Sequence, residues 1–554
     1  MVDTTASNGT SKAQRELLLT VFSDCREYYH SRQAFDKDYK SLSHASLDDL
    51  YAAWKGFNRS LASGSYDVSV PILSNWPFSV GRSTSDSVRA IRQVLGLYSR
   101  LEGFCDSSPA LTAYSARVSA SKGSCPTYIR EIARNLIAAW LGSAPTLLDL
   151  HPQHGPGAVA EGYSQVEKIN PNYTFRQLRR HGGDDLLYLN SRHKSTEPRN
   201  LIELKHPITR VVCVPKDFSK PRIISAEPCV MQFLQQGLAR HIMAKMEMNC
   251  PYVNFRDQSV NAQLAKRYDE VATLDMSDAS DLVSRRIVRQ LFPENWVDLL
   301  FSLRSHFAKL PDGTIVPLRA FAPMGSALCF PVESIVFAAI TVAAYFVFTG
   351  NDRTPGKARE LLRIYGDDII VPVEAGQFVM AVLRECGFHP NESKCCISGY
   401  FRESCGAEWW RGEDVTVTRP RSLNPHHACL NKPGLSAAMP MALHAQSLYQ
   451  RGFTNAAQYL ASLCKFPVAL GSGAAYVTPD LKWPWPGKIR WNRNLQRAEQ
   501  ETTVPVQGTE ASSIGDQYAA LFLGLASGWQ SELVLTPRIK PKRKWVLAAP
   551  LADR

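Results

Sequence analysis

The sequence predicts an α+β fold, and three observations carry that prediction. Helical periodicity fills the first quarter of the chain, a basic stretch at 170–225 is followed at 265–420 by short apolar strands, helices and acidic motifs, and helical patterning returns after 436. With 554 residues, the chain is long enough for roughly three to four cores, which a large enzyme can pack as subdomains of one body.

Taken in order, residues 15 to about 150 read as helical, with amphipathic stretches at Val88 to Leu101 and Tyr128 to Leu141. Gly155-Pro-Gly-Ala-Val-Ala160 fits a dinucleotide-binding pattern in letters only. Pro152 and Pro156 break the strand-to-helix transition that such a site needs, so a tight glycine turn is expected. Thr209 to Pro215 reads as a strand, and Lys216 to Ile224 as a turn into a second one. Val271 to Leu274 is a buried strand ending at Asp275. Ser280 or Asp281 is placed to cap a helix running from Leu282 to Phe292.

Pro323 to Ser326 is a small-residue turn leading into the long apolar stretch Ala327 to Phe348. Pro331 and Glu333 interrupt that stretch and leave fourteen residues, Ile335 to Phe348. A membrane span needs about 20, so a buried core helix is expected and no membrane partner. Gly356-Lys357 lacks the earlier glycine and the following hydroxyl residue of a phosphate-binding loop. Residues 436–468 read as helical, 471–494 as a Gly/Pro/Trp-rich loop, 500–514 as a polar linker and 515–528 as a last helix. Arg538 to Lys544, with five basic residues in seven, reads as a mobile tail with non-specific affinity for RNA.

Lysine and arginine outnumber aspartate and glutamate by 63 to 51, giving a net charge of +12 that favours a polyanionic partner. The thirteen cysteines form no CxxC pair, which points to reduced thiols in a cytosolic compartment. Cys386, His389, Cys395, Cys396 and Cys405 cluster in sequence, but their spacing matches no zinc knuckle or ribbon. The same holds for His426, His427 and Cys429. Residues 1–14 are polar, which predicts no secretory signal.

The chemistry concentrates in Tyr365-Gly366-Asp367-Asp368. These residues lie between two β-branched runs, a strand-turn-strand with two adjacent carboxylates at its tip and Gly366 supplying the freedom a tight turn needs. Oxygen ligands on a rigid hairpin suit Mg²⁺. Asp275, at the end of a second buried strand, is the natural third acid. Three such carboxylates can hold two ions about 3.5–4 Å apart for an in-line phosphoryl transfer. The basic ribbon Lys205, Arg210, Lys216, Lys220 and Arg222 supplies the cations a triphosphate requires. Ser326 or Ser334 offers a hydroxyl to a sugar. Lys482-Trp483, Trp485, Lys488, Arg490-Trp491 and Arg493 interleave aromatic and basic residues, a pattern that either stacks bases beside a phosphate track or packs a loop.

In this order and spacing, the residues resemble the replicase catalytic subunit of small positive-strand RNA bacteriophages, the leviviruses. The resemblance runs from Lys205 to about Arg419. It rests on Leu274-Asp275 with Ser280-Asp281, on Met324-Gly325-Ser326 with Glu333-Ser334, on Tyr365 to Asp368, on Gly387-Phe388 with Asn391 and Lys394, and on Phe401 to Gly406. It implies a right-hand fold of fingers, palm and thumb with an antiparallel palm sheet carrying the carboxylates. The implied division is an N-terminal helical region at 1–110, fingers at 111–260, palm at 261–420 and thumb with tail at 421–554.

It further implies RNA-directed RNA synthesis from ribonucleoside triphosphates on an RNA template, started without a primer. Two Mg²⁺ ions, replaceable by Mn²⁺, would be held by Asp275, Asp367 and Asp368. Partners would be host elongation factors Tu and Ts and a ribosomal S1-type protein, in the cytoplasm of the infected bacterium. Lys394 would be a general acid toward pyrophosphate, and Asp281, Ser326 and Ser334 would be candidates for ribose selection. The competing expectations are a reverse transcriptase-like palm polymerase, which would prefer deoxynucleotides, and a non-catalytic RNA-binding or repressor protein.

Overall fold

The computed structural model describes residues 12–64, 70–76, 85–99, 107–164, 167–169, 171–181, 202–214, 216, 221–351, 356–420, 444–445, 447–463, 489–492, 494, 497–508 and 538–547. Lys220, the predicted helix at 515–528, the His426 to Cys429 cluster and most of the Trp-rich loop lie outside the described residues.

Four helices open the chain: α1 (Lys12–Ser23), α2 (Arg32–His44), α3 (Leu47–Ser63) and α4 (Ser85–Gly96). Their limits are written locally. Ser31 accepts a hydrogen bond from Ala34 N to start α2. Ser46 and Asp49 form a reciprocal capping box on α3, which Gly64 ends in a left-handed conformation at φ 67°. These helices do not form a separate core. Leu17, Phe22, Phe57, Leu61, Ile91 and Leu95 share one apolar cluster with Phe401, Trp410, Val415 and Leu448.

Helix α5 (Ser108–Ala120) places Tyr114 and Val118 in a small cluster with Val211, Ala308 and Leu318. Helix α6 (Thr127–Leu141) opens the second and larger core through Ile129, Ile137 and Leu141. Strands β1 (Ile208–Val214) and β2 (Arg222–Ala226) form an antiparallel ribbon with Val214 opposite Arg222. Helix α7 (Cys229–Asn249) leaves from its end. Strand β3 (Val271–Leu274) is buried at all four residues.

Beyond it, the single predicted helix over 282–292 is two: α8 (Ala279–Leu282) and α9 (Arg285–Leu291). The chain breaks between them because Val283 is extended and Ser284, not Ser280 or Asp281, caps α9 by accepting from Ile287 N at 3.0 Å. Strands β4 (Phe307–Lys309) and β5 (Ile315–Pro317) extend the ribbon into a four-stranded sheet in the order β2-β1-β4-β5, with β4 parallel to β1.

Helix α10 (Cys329–Thr349) is the predicted apolar segment. It is long and apolar enough to cross a membrane, yet 83% of its most apolar window is buried inside the protein. It forms the centre of the larger core. Strands β6 (Arg363–Tyr365) and β7 (Asp368–Pro372) make the expected hairpin, and β7 pairs on its other edge with β3. Helix α11 (Gly376–Glu385) backs this sheet. Strands β8 (Phe401–Ser404), β9 (Ala407–Trp410) and β10 (Glu413–Asp414) form a small antiparallel sheet beside it.

That last sheet packs on the N-terminal helices through Phe401 and Trp410. The Glu408 carboxylate is buried between Arg92 at 2.7 Å and Arg419 at 2.8 Å, while both guanidinium groups lie 5.0 Å from the Trp54 ring. Gln93 and Thr418 exchange hydrogen bonds of 2.8 and 2.9 Å. After α12 (Thr454–Leu463), residues 500–508 of the predicted linker and the predicted tail at Arg538 to Lys544 are instead strands, and 509–514 lie outside the described residues. β12 (Arg497–Gly508) pairs antiparallel with β11 (Ile489–Asn492) and with β13 (Arg538–Leu547). The β-branched residues Thr502, Thr503, Val504 and Val506 favour a strand, and they outweigh the polar composition that suggested a linker.

Candidate active site

Strand register assembles the acidic site. Leu274 lies opposite Ile369 in the antiparallel pair of β3 and β7, so the next residue on each strand, Asp275 and Asp368, comes together at the sheet's end. On the other edge Asp368 pairs with Tyr365, which leaves Gly366 and Asp367 as a two-residue turn. Gly366 has φ 63°, as the first central position of a II′ hairpin turn requires, and a Cβ there would meet Phe330 Cε2 at 2.9 Å. The turn is held from below: Ser334 Oγ, fully buried on α10, accepts from Gly366 N at 3.0 Å and donates to Phe330 O at 2.8 Å.

Around Asp275 the chain closes tightly. Asn391 donates from its backbone to Asp275 O at 2.9 Å and from Nδ2 to Oδ2 at 3.1 Å, and Lys394 Nζ lies 3.3 Å from the same oxygen. Asp368 Oδ2 accepts from Cys405 N at 3.2 Å. That amide is aimed by the turn between β8 and β9, where Cys405 (φ 49°) and Gly406 (φ 79°) are both left-handed, as in a I′ turn. Cysteines 395 and 396 are used as small buried groups. The first donates to Asp275 O, and the second exchanges backbone hydrogen bonds with Thr273.

The charges are held out of balance. Burial pushes the Asp368 carboxyl up to about 7, and the neighbouring Asp367, Asp275 and Glu403 add to it. Burial also raises Asp275 and Asp367. Lys394 pulls both back, joined at Asp367 by Lys216 and Arg222. Burial opposes the Lys394 ammonium, but Glu403, Asp275 and Asp368 outweigh it and hold the proton more firmly than in water.

Glu403 is the acid that pattern reading passed over. It sits on a strand whose own alternation gives no sign that Thr273 and Asp275 lie beside it. Among the described residues, no three His, Cys, Asp or Glu side chains converge into a ready-made metal cage. The donor chemistry nevertheless fits a hard divalent cation: mutually repelling carboxylates meet at one sheet end, and among the described residues the cation paired with them is a lysine.

The other predicted residues divide by position. Lys216 and Arg222 lie at the open end of the β1-β2 ribbon and bear on Asp367. Arg210 turns away to donate to Val159 O at 3.1 Å, and Lys205 is exposed just after a short strand, Ile202–Leu204. Of the predicted glycine turn, the Gly155 and Gly157 carbonyls both accept from Lys168. Asp281 is engaged by Arg117, at 3.2 Å from Nε and 3.0 Å from Nη2. Burial raises its carboxyl to about 6 against that cation. Glu333, in the first turns of α10, is buried facing Asp367 and Asp281, and its carboxyl is raised by burial and by both.

Ser326 is buried and donates to Gln235 Oε1 at 3.0 Å, with Ala327 N on the same oxygen at 3.2 Å. The adjacent Gly325 (φ 122°) lets its loop lie on β2, where Ser225 N donates to Met324 O at 2.7 Å. An added Cβ would meet Ser225 O at 2.3 Å.

Residues 128–421 match the family model for the RNA replicase beta chain, more than half of the chain. Among curated proteins, the chain is 36% identical over 217 residues to the RNA-directed RNA polymerase subunit beta of Enterobacteria phage SP, covering 38% of this chain and 36% of that one. It is 38% identical over 208 residues to the beta chain of Escherichia phage MS2, covering 37% and 36%. To the subunit of Escherichia virus Qbeta it is 29% identical over 301 residues, covering 53% and 49%. The matched part thus spans between about a third and a half of these relatives. A solved RNA-dependent RNA polymerase of a human picobirnavirus aligns with 76% of this chain and 82% of its own at 11% identity and a TM-score of 0.41.

Proposed function

Because the chain belongs to the RNA replicase beta-chain family, we propose that it is an RNA-directed RNA polymerase that copies a phage RNA genome from ribonucleoside triphosphates. The observation that carries this reading is the meeting of Asp275 and Asp368 at one sheet end, with Asp367 on the turn between β6 and β7 and the Lys216–Arg222 ribbon bearing on it. In this reading residues 111–260 serve as fingers, 261–420 as palm, 421–554 as thumb and 1–110 as a helical region packed on them.

Asp275 and Asp367, with Asp368 as a third ligand, would hold two divalent cations, Mg²⁺ or its substitute Mn²⁺. When bound, such ions supply activation of the 3′ hydroxyl and stabilisation of the leaving oxygen. Lys216, Lys220 and Arg222 neutralise the β and γ phosphates, and Lys394 holds a proton where pyrophosphate leaves. Asp281 and Ser326 would be the residues that select the ribose, with Glu333 buried beside Asp281, whereas Ser334 would position the Gly366 turn and act on substrate only through it. Synthesis begins without a primer, in the cytoplasm of the infected bacterium, in assembly with host elongation factors Tu and Ts and an S1-type protein.

The test is ribonucleotide incorporation on RNA templates by purified chain, with and without host extract, comparing wild type with Asp367→Asn. The substitution removes one charged metal ligand, worth several kcal/mol of transition-state stabilisation. Incorporation should fall by orders of magnitude while RNA binding persists. Equal incorporation by both proteins refutes the metal assignment, and a preference for deoxynucleotides turns the reading to a reverse transcriptase.

A further inference from the structure

We propose that Arg285, Arg289 and Arg319 form a docking site for the phosphodiester backbone of RNA, separate from the acidic centre and from the β1-β2 ribbon. The inference rests on the polymerase reading for the identity of its ligand. Its geometry stands independently.

The three arginines are brought together by the break in the chain between α8 and α9. Ser284 forms an isolated bridge with Ala320, and Arg285 N donates to Arg319 O at 3.0 Å, so the two side chains leave adjacent backbone positions. Arg289 is one helical turn beyond Arg285 on α9, and its guanidinium lies 4.0 Å from the centre of the Phe301 ring. Beneath them Arg304, fully buried, donates to the carbonyl oxygens of Phe321, Leu318 and Ala320 at 2.8–2.9 Å. It thereby fixes the segment that carries Arg319. The platform is therefore rigid even though Arg289 and Arg319 are exposed and Arg285 is half-buried.

Among the described residues, none of these three side chains makes an ion pair or a hydrogen bond with a carboxylate. The acids closest in sequence to Arg285, Asp281 and Asp278, are both taken by Arg117. The three cations are close enough that Arg289 and Arg319 each help to lower the pKa of Arg285, after burial, and Arg285 and Arg289 do the same to Arg304.

Like charges held together without counter-charges weaken the folded state. A solvated basic face would spread or pair them. A rigid set of guanidinium forks suits an extended row of phosphates, which arginine grips through paired N–H donors.

The experiment measures binding of a labelled single-stranded oligoribonucleotide of mixed sequence to the full chain across a salt series, by fluorescence anisotropy. The proteins compared are wild type, Arg285→Gln/Arg289→Gln/Arg319→Gln, the matching triple Lys variant, and Arg319→Gln alone. Losing three phosphate contacts should lower the slope of log affinity against log salt by about 2, from roughly 0.7 per contact on single strands. Affinity at low salt should fall by about tenfold or more. The Lys variant should recover most of the slope, because charge is retained, and the Gln variant should melt no lower than wild type, because repulsion is relieved.

Arg319→Gln, at an exposed position, should lose about a third of the slope change and guards against misfolding of the triple variant. An unchanged slope and affinity in the triple Gln variant overturns the proposal, whatever else binds there. Arginine-dependent RNA binding by a wild-type chain that fails to incorporate nucleotides even when host extract is added would instead overturn the polymerase reading and leave this site standing.

Discussion

Replacing Ser334 by alanine removes one oxygen from the floor of the active site, and the structure sets the size of the effect. Ser334 Oγ accepts from Gly366 N at 3.0 Å, and Ser334 is fully buried, so water cannot take its place. A buried amide left without an acceptor costs about 1–3 kcal/mol, which corresponds to roughly a 5- to 150-fold change in an equilibrium or rate. The turn can avoid that cost only by moving. Asp367 lies within it and Asp368 directly after it, so movement displaces the carboxylates, where even a ~1 Å error costs about a hundredfold in rate.

The loss should therefore appear in kcat, with nucleotide KM and the ratio of ribonucleotide to deoxyribonucleotide use unchanged. Steady-state incorporation on a homopolymeric RNA template, with matched ribo- and deoxyribonucleotides, separates these quantities. A changed sugar ratio at constant kcat would mean that Ser334 reads the ribose directly. Wild-type kinetics would mean that the hairpin needs no such support.

Two further expectations arise from buried contacts. Gly325→Ala puts a methyl group 2.3 Å from Ser225 O at a backbone φ of 122°, a conformation that alone costs about 1–3 kcal/mol outside glycine. The Met324 loop should leave β2 and kcat/KM should drop at least about tenfold, and unaltered steady-state kinetics would contradict the packing. For Glu408, burial pushes the pKa up, but Arg92 and Arg419 more than reverse it and hold the carboxyl down near 2. With the folded pKa below the unfolded one, its stabilisation is complete above about pH 4.5 and is lost as pH falls toward 2. Glu408→Gln, by stranding Arg92 and Arg419, should cost about 3–5 kcal/mol at neutral pH. Denaturant melts between pH 6 and 3 should show a shallower acid loss in the variant, and parallel curves would refute the assignment.

What could be read from the sequence is what its local pattern encodes. The Asp367–Asp368 hairpin, the strand ending at Asp275 and the β1-β2 ribbon each announce themselves within about ten residues, through β-branched flanks, a turn glycine and charge. The division of 282–292 was hidden because Ser280, Asp281 and Ser284 are all competent caps. Only the bridge from Ser284 to Ala320 selects among them.

The contacts that tune the site are likewise long-range. Cys405 N reaches Asp368 across 37 positions, Ser334 reaches Gly366 across 32 and Arg117 reaches Asp281 across 164. None of these partners is marked by its neighbours, and a serine in a helix or an arginine near a helix end looks like any other.

The same separation hides the bond that Ser334 makes. As a residue type it offers a hydroxyl to a sugar. As a buried residue one helical turn from Phe330, whose ring lies 4.9 Å from that of Tyr365, it bonds the hairpin at Gly366. Helix α10 therefore supports the hairpin at two adjacent points, a ring contact to Tyr365 and a hydrogen bond to Gly366. A displacement of its first turns would move the carboxylates with it. Because Gly325 ties the loop before α10 to β2, whose first residue, Arg222, bears on Asp367, the basic ribbon and the acid-bearing turn are connected through one short segment, Met324 to Ser334. Closure of the ribbon on a triphosphate would then be felt at the carboxylates through packing as well as through charge.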